Sequence, residues 1–146
     1  MLKADYFFAN LVIGHLIGDY LLQNKWMAMN KSGSSWKCAV HCLVYTAAVA
    51  ALTWENLHTW QWVLFIFATH FPIDRWLLAD KWLDLIGGRS IRDFLFNGKR
   101  DLPAGSFDPE NYYVVRGGFT AFVYAVTDNT MHLSLMFIGA RCLFEK

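Results

Sequence analysis

Four long apolar runs, Tyr6–Leu22, Cys38–Trp54, Trp60–Leu78 and Phe119–Phe144, govern what this chain can become. They contain 17, 17, 19 and 26 residues, against the roughly 17–25 that an α-helix needs to cross the hydrocarbon of a bilayer. Helices buried in a soluble bundle are also apolar all round, so run length must be weighed together with its flanks. Of the 146 residues, 55% are hydrophobic and 17% charged, which is more apolar and less charged than an ordinary soluble domain. Disorder and a highly charged nucleic-acid-binding tail are excluded on the same grounds, and no nucleic-acid partner is expected. The length fits a single domain, residues 1–146.

The flanks favour a membrane. Trp26 and Trp36 bracket the first connection, Trp54, Trp60 and Trp62 the second, and Trp76 and Trp82 lie at the end of the third run. Indoles at run ends and none at run centres make the aromatic belt of a spanning bundle. Charge agrees. Lys25, Lys31 and Lys37 lie in the first connection, and Arg75, Lys81, Arg89, Arg92, Lys99, Arg100 and Arg116 in or beside the third, so ten of thirteen basic residues share one side of a four-span arrangement. The positive-inside rule puts connections one and three in the cytoplasm, in a bacterial inner membrane, with both termini outside. The expected fold is therefore all-α: a four-helix transmembrane bundle. Short interfacial helices are expected at Asp80–Ile86 and Ser90–Phe96, parted by Gly87–Gly88, with Pro103, Gly105 and Pro109 in an irregular loop before the last span. The first run is not a cleavable signal, because it holds His15 and Asp19 and no small-residue cleavage site comes after it. Cys38, Cys42 and Cys142 form no disulfide framework and read as small hydrophobes.

The polar residues that interrupt the runs point to chemistry. Run one holds His15 and Asp19, run two His41, run three His70 and Asp74, and run four Asp128 and His132. Three of these sets are spaced i, i+4, which puts both side chains on one helix face. An ionised Asp in a membrane helix costs about 2.5–3.5 kcal/mol on insertion scales, so each needs a partner. A divalent cation serves all of them, with imidazole nitrogens and carboxylate oxygens as ligands. Counted along a helix, His15, His41, His70 and Asp128 lie roughly 6–14 Å from the cytoplasmic ends of their spans, with His132 one turn deeper.

Seven donors, His15, Asp19, His41, His70, Asp74, Asp128 and His132, suit one ion with outer partners or a pair of ions, with Zn, Mn or Fe fitting the mixed set. Gln23, four residues past Asp19, continues that face as a candidate substrate-binding residue. The favoured activity is hydrolysis of a phosphoester or ester, possible substrates including membrane lipid and other amphiphiles. Metal-activated water is the nucleophile, and Asp19 or Asp74 is left as general base. The alternative is a non-enzymatic membrane protein, either a metal or proton carrier, which would call for a homo-oligomer, or a scaffold with a structural ion. Haem ligation by paired histidines would not need an Asp on each histidine's face.

The ordered strings His15-Leu-Ile-Gly-Asp19-Tyr-Leu-Leu-Gln23, His41, His70-Phe-Pro-Ile-Asp74 and Asp128-Asn-Thr-Met-His132 resemble an uncharacterised family of small bacterial and phage membrane proteins, classed as a domain of unknown function. More distantly, they are similar to LexA-regulated membrane-bound metal-dependent hydrolases. The resemblance implies a membrane protein with a metal-linked site and names no substrate.

Overall fold

The computed structural model describes the backbone of residues 4–55, 59–87 and 109–144. All regular structure among them is helical: α1 (Ala4–Leu16), continued by a π-helical turn (Ile17–Leu21), then α2 (Lys25–Asn30), α3 (Ser35–Thr53), α4 (Trp60–Trp76), α5 (Leu78–Gly87) and α6 (Pro109–Phe144). Two compact units result, Met1–Leu77 with Thr130–Lys146, and Leu78–Asn129.

Local chemistry sets the ends of the helices. The Asn24 carboxamide accepts the Met27 N–H at 3.0 Å and so starts α2. The Thr59 hydroxyl accepts the Trp62 N–H at 3.3 Å at the head of α4. Leu77, at φ 50° and ψ 53°, ends α4 in the left-handed region and hands the chain to α5. Pro109 opens α6 at the first helical position, where proline's missing N–H costs nothing. The last helix thus begins ten residues ahead of the apolar run at Phe119, and Pro109 belongs to it and not to a loop. A helix does cover Asp80–Ile86; Ser90–Phe96, Pro103 and Gly105 lie outside the described residues.

In the first unit, neighbouring helices run antiparallel. Gly14 and Gly18 of the first helical segment lie on Val49 and Tyr45 of α3, His41 and Thr53 of α3 meet His70 and Trp62 of α4, and Phe65 and His70 of α4 meet Gly139 and His132 of α6. The interior has two storeys. Phe7, Leu11, Val49, Trp62, Ile66, Met136 and Ala140 fill one. His15, Asp19, His41, His70, Asp74 and His132, all buried, fill the other. Tyr45 joins them. Trp62 corrects the aromatic belt: it is fully buried, its Nε1–H donating to the Thr53 hydroxyl at 2.9 Å, whereas Trp26, Trp36, Trp54, Trp60, Trp76 and Trp82 are exposed. Cys38 and Cys42 are buried with sulfurs 3.8 Å apart, and Cys142 is exposed; all three are free.

The seam between α1 and α3 depends on glycine. A Cβ on Gly18 would stand 2.7 Å from Tyr45 Cδ2 and 3.1 Å from Tyr45 Cα, and one on Gly14 would stand 2.9 Å from Val49 Cα. Small residues four apart let two helix backbones come close, a device common in membrane bundles. Tyr45 is fully buried and cannot yield, so Gly18→Ala is expected to destabilise the fold by about 1–3 kcal/mol, seen as a lower thermal unfolding midpoint.

Among the described residues one helix, α3, is long and apolar enough to cross a membrane by length and composition. With 13 and 17 residues, α1 and α4 are shorter.

Candidate metal centre

Four donor atoms from three segments converge in the first unit: Asp19 Oδ1 on the π-helical turn, His41 Nε2 on α3, and His70 Nε2 and Asp74 Oδ2 on α4. His41 Nε2 is 3.0 Å from His70 Nε2, 2.9 Å from Asp74 Oδ2 and 3.1 Å from Asp19 Oδ1. His70 Nε2 is 3.2 Å from Asp74 Oδ2 and 3.5 Å from Asp19 Oδ1. Two donors each about 2.1 Å from one ion are about 3.0 Å apart at a right angle and about 3.4 Å apart at the tetrahedral angle. All five separations lie close to that span.

Hydrogen bonding alone does not account for the convergence. A neutral imidazole has a single N–H, yet His41 Nε2 faces two carboxylates and a second imidazole at once. Asp19 Oδ1 and both oxygens of Asp74 are buried with no well-directed hydrogen bond; the Lys31 ammonium, 2.9 Å from Asp74 Oδ2, is one positive charge for two carboxylates, and a cation shared among the donors would relieve the remaining cost. These buried His and Asp groups could hold a metal ion.

The local sequence explains the convergence. On α4 the i, i+4 spacing aims His70 and Asp74 to one side, with Pro72 between them. From α1 the same spacing is carried through the π-helical turn, closed by Leu22 N–H donating to Ile17 C=O at 2.9 Å. Such turns are often found at functional sites, because the surplus residue re-aims a side chain. His15 Nδ1 is 3.4 Å from Asp19 Oδ2.

A surrounding layer supports the donors. The Tyr45 ring stacks on the His70 ring at 3.5 Å between centroids and 14° between planes. Its hydroxyl lies 3.4 Å from Met136 Sδ, to which it can donate, and 2.9 Å from His15 Nδ1. His70 Nδ1 is 3.0 Å from His132 Nδ1, and His132 Nε2 is 3.6 Å from Asp74 Oδ1. Lys31 Nζ, at the end of α2, is 2.9 Å from Asp74 Oδ2.

Six of the seven candidate donors are therefore together in the first unit: Asp19, His41, His70 and Asp74 in the tight group, His15 and His132 against it. Asp128, half-buried, stands one turn before His132 on α6 and falls in the second unit. Gln23 is not on a continuation of Asp19's helix face, because regular winding ends at Leu21; it is half-buried in the connection before Asn24, its carboxamide oxygen without a hydrogen-bond partner. Sequence reasoning misses Tyr45 and Lys31. Tyr45 sits one turn beyond His41 on the same face, a spacing that could have singled it out. Lys31, in a short polar connection, carries no signal.

The fold and site thus define a helical protein with a buried histidine–carboxylate group that could hold a metal ion. Over residues 7–145 the chain matches, and belongs to, the family described as Protein of unknown function (DUF3307). No curated protein and no solved structure matches it.

Proposed function

We propose that this protein is a membrane-embedded, metal-dependent hydrolase of phosphoesters or esters, with its centre near the cytoplasmic face. The observation that carries the reading is the uneven donor set. His41, His70 and Asp74 make a compact triangle with edges of 2.9, 3.0 and 3.2 Å. Asp19 lies 3.1 and 3.5 Å from its two histidines and is the more exposed carboxylate, 8% against 1% for Asp74. Three firm ligands beside an exchangeable fourth position are the pattern of catalytic centres, whereas structural sites are closed.

His41, His70 and Asp74 would hold a Zn, Mn or Fe ion, which when bound lowers the pKa of its water toward 7 and polarises a phosphoryl or acyl oxygen. Asp19, released from the fourth corner, would accept the water's proton. For a phosphoester, the water oxygen would form a bond to phosphorus, the bond from phosphorus to the alcohol oxygen would break, and the departing oxygen would take up the proton that Asp19 had accepted. His70, ligating through Nε2, must carry its proton on Nδ1, so Nδ1–H donates to His132 Nδ1. His132 then keeps its own proton on Nε2, toward Asp74 Oδ1. This assigns His15 and His132 to holding ligands in place, a role that typically changes metal affinity by about 10–100-fold. His132→Asn, whose carboxamide oxygen can still accept from His70, is expected to keep the metal that His132→Leu loses, read by titration with Co(II).

The membrane setting rests on large apolar side chains facing outward while a histidine–carboxylate group is buried. Ile13, Leu43, Leu64 and Ile138, one from each long helix, are half or more exposed, while His15, His41, His70, His132 and Asp74 are at most 2% exposed. A requirement for detergent during extraction is the expected result.

The decisive experiment measures metal content of the purified protein, then metal-dependent release from a panel of phosphoesters and carboxyl esters, soluble and lipid. Stoichiometric metal with turnover abolished by Asp19→Asn supports the hydrolase. The four-cornered donor set also favours a second reading, a structural ion in a non-enzymatic membrane protein, for which metal would be bound without turnover.

A further inference from the structure

Helix α4 supplies two corners of the donor triangle and α3 the third. His70 and Asp74, one turn apart on α4, bring Nε2 and Oδ2 to 3.2 Å. Opposite them, His41 Nε2 stands 3.0 Å from His70 Nε2 and 2.9 Å from Asp74 Oδ2. The lengths of these edges carry a coordination number. For metal–ligand bonds of about 2.0–2.2 Å, neighbouring donors are about 2.8–3.1 Å apart at a right angle and about 3.3–3.6 Å apart at the tetrahedral angle. Two edges fall inside the right-angled range, and the third stays short of the tetrahedral one. Asp19 Oδ1 adds a further short separation, 3.1 Å to His41 Nε2. The wide separation, 3.5 Å to His70 Nε2, also belongs to Asp19, the more exposed carboxylate. Two imidazole nitrogens and one carboxylate oxygen near mutual right angles make one face of an octahedron.

The corners are held from behind, so the face is built into the fold. The His70 ring is gripped between the stacked Tyr45 ring and His132 Nδ1, 3.0 Å from its own Nδ1. Asp74 has only one oxygen to give. Its Oδ2 faces both histidines and the Lys31 ammonium, whereas Oδ1 is turned toward His132 Nε2 at 3.6 Å. A carboxylate divided in this way ligates through a single oxygen and takes a single vertex. The donors are nitrogen and oxygen alone. Cys38 and Cys42, buried on the same helix as His41, have their sulfurs 3.8 Å from each other, and among the described residues no cysteine joins the group. Two histidines and a carboxylate with open positions suit Fe(II), and oxygen-bearing octahedral sets suit Mn(II), whereas Zn(II) settles mostly into four tetrahedral bonds.

We infer that His41, His70 and Asp74 form one face of a six-coordinate site for Mn(II) or Fe(II), and not three corners of a tetrahedral Zn(II) site. This rests on the metal centre proposed for the hydrolase and narrows it to a class of ion. Three positions lie opposite such a face. Asp19 fronts one, so two remain for a water and a substrate oxygen side by side. A tetrahedral site has one position opposite its three ligands, and Asp19 would have to leave it before anything else could enter.

Full-length protein purified in detergent without chelator, and the same protein stripped and reloaded with Co(II), are read by X-ray absorption at the edge of the bound metal and by visible absorption. The copurifying metal is expected to be manganese or iron. Its first shell should hold six nitrogen or oxygen atoms, with outer-shell scattering from two imidazoles, and the cobalt form should show the faint visible bands and weak pre-edge of an octahedral ion. Cys42→Ala should leave both spectra unchanged, and His41→Ala should lose the cobalt. The inference is overturned by a first shell of fewer than six atoms, by sulfur in that shell, or by the intense bands of tetrahedral cobalt. Copurifying zinc in a four-coordinate shell overturns it as well. So does an imidazole count other than two, a larger count placing His15 or His132 on the ion. Those results leave a metal centre standing with a different geometry. Protein that takes up no divalent ion overturns the centre and the hydrolase with it, and elemental analysis reads that outcome before any spectrum is recorded.

Discussion

His70→Ala is expected to leave the centre without metal. The imidazole contributes three things at once: Nε2 to the donor triangle, Nδ1 to His132, and a ring face to Tyr45. Removing it takes away a ligand and also loosens Asp74, whose approach is paired with His70 through one helical turn and through His132. Affinity should therefore fall by more than the roughly 10–100-fold typical of a lost outer partner. Elemental analysis of detergent-purified protein after dialysis reads the outcome, with His58→Ala, which is outside the candidate set, as the control. Retention of wild-type metal by His70→Ala would remove the basis of the assignment.

Chelation should destabilise the wild type far more than it destabilises the variant in which Asp19 and Asp74 are both replaced by Asn. Two buried carboxylates lie close to the same imidazoles with one ammonium, that of Lys31 beside Asp74, to offset them, so the pair remains costly without a further positive charge. An ion that binds only the folded state adds about 2.7 kcal/mol at a hundred times its dissociation constant, and about 1.4 kcal/mol for each further tenfold. The double variant has neither carboxylate charge, so it should gain little from metal and lose little to a chelator. Thermal unfolding in detergent across a free-ion series separates the two: a midpoint rising with metal in the wild type and flat in the variant. Equal response in both would place the ion elsewhere.

Much of this architecture is legible in the residues alone, because two periodicities agree. Apolar runs locate α1, α3, α4 and the later part of α6 to within a few residues, and His70–Asp74 at i, i+4 announces which face of α4 turns inward. The antiparallel order of α1, α3 and α4 is implied by the short connections between them, while the long segment before α6 carries no such implication. The illegible part falls into three physical kinds. Pro109 and its polar successors resemble a loop in composition, yet proline at a first helical position starts a helix. Trp62 reads as an interfacial indole beside Trp60, but two residues along a helix amount to about 200° around it, and that rotation carries Trp62 inward to Thr53. Gln23 aligns with Asp19 only under uninterrupted winding, and the π-helical turn invalidates that count. Lys31 belongs to no periodic pattern. Its place depends on the fold of a turn held from α4, which only coordinates reveal.

The wide turn at Ile17–Leu21 carries a constraint on chain length as well as on residue identity. Excising one residue there would restore ordinary winding and swing α1 by about 100° relative to α2. Gly14 would leave Val49, His15 would leave Tyr45, and a bulky neighbour would be driven into the narrow seam. Homologous chains that keep the histidines and aspartates should therefore also keep the residue count from Gly14 to Asn24, even where the side chains between them vary. Insertions would accumulate in other connections before they appeared in this one.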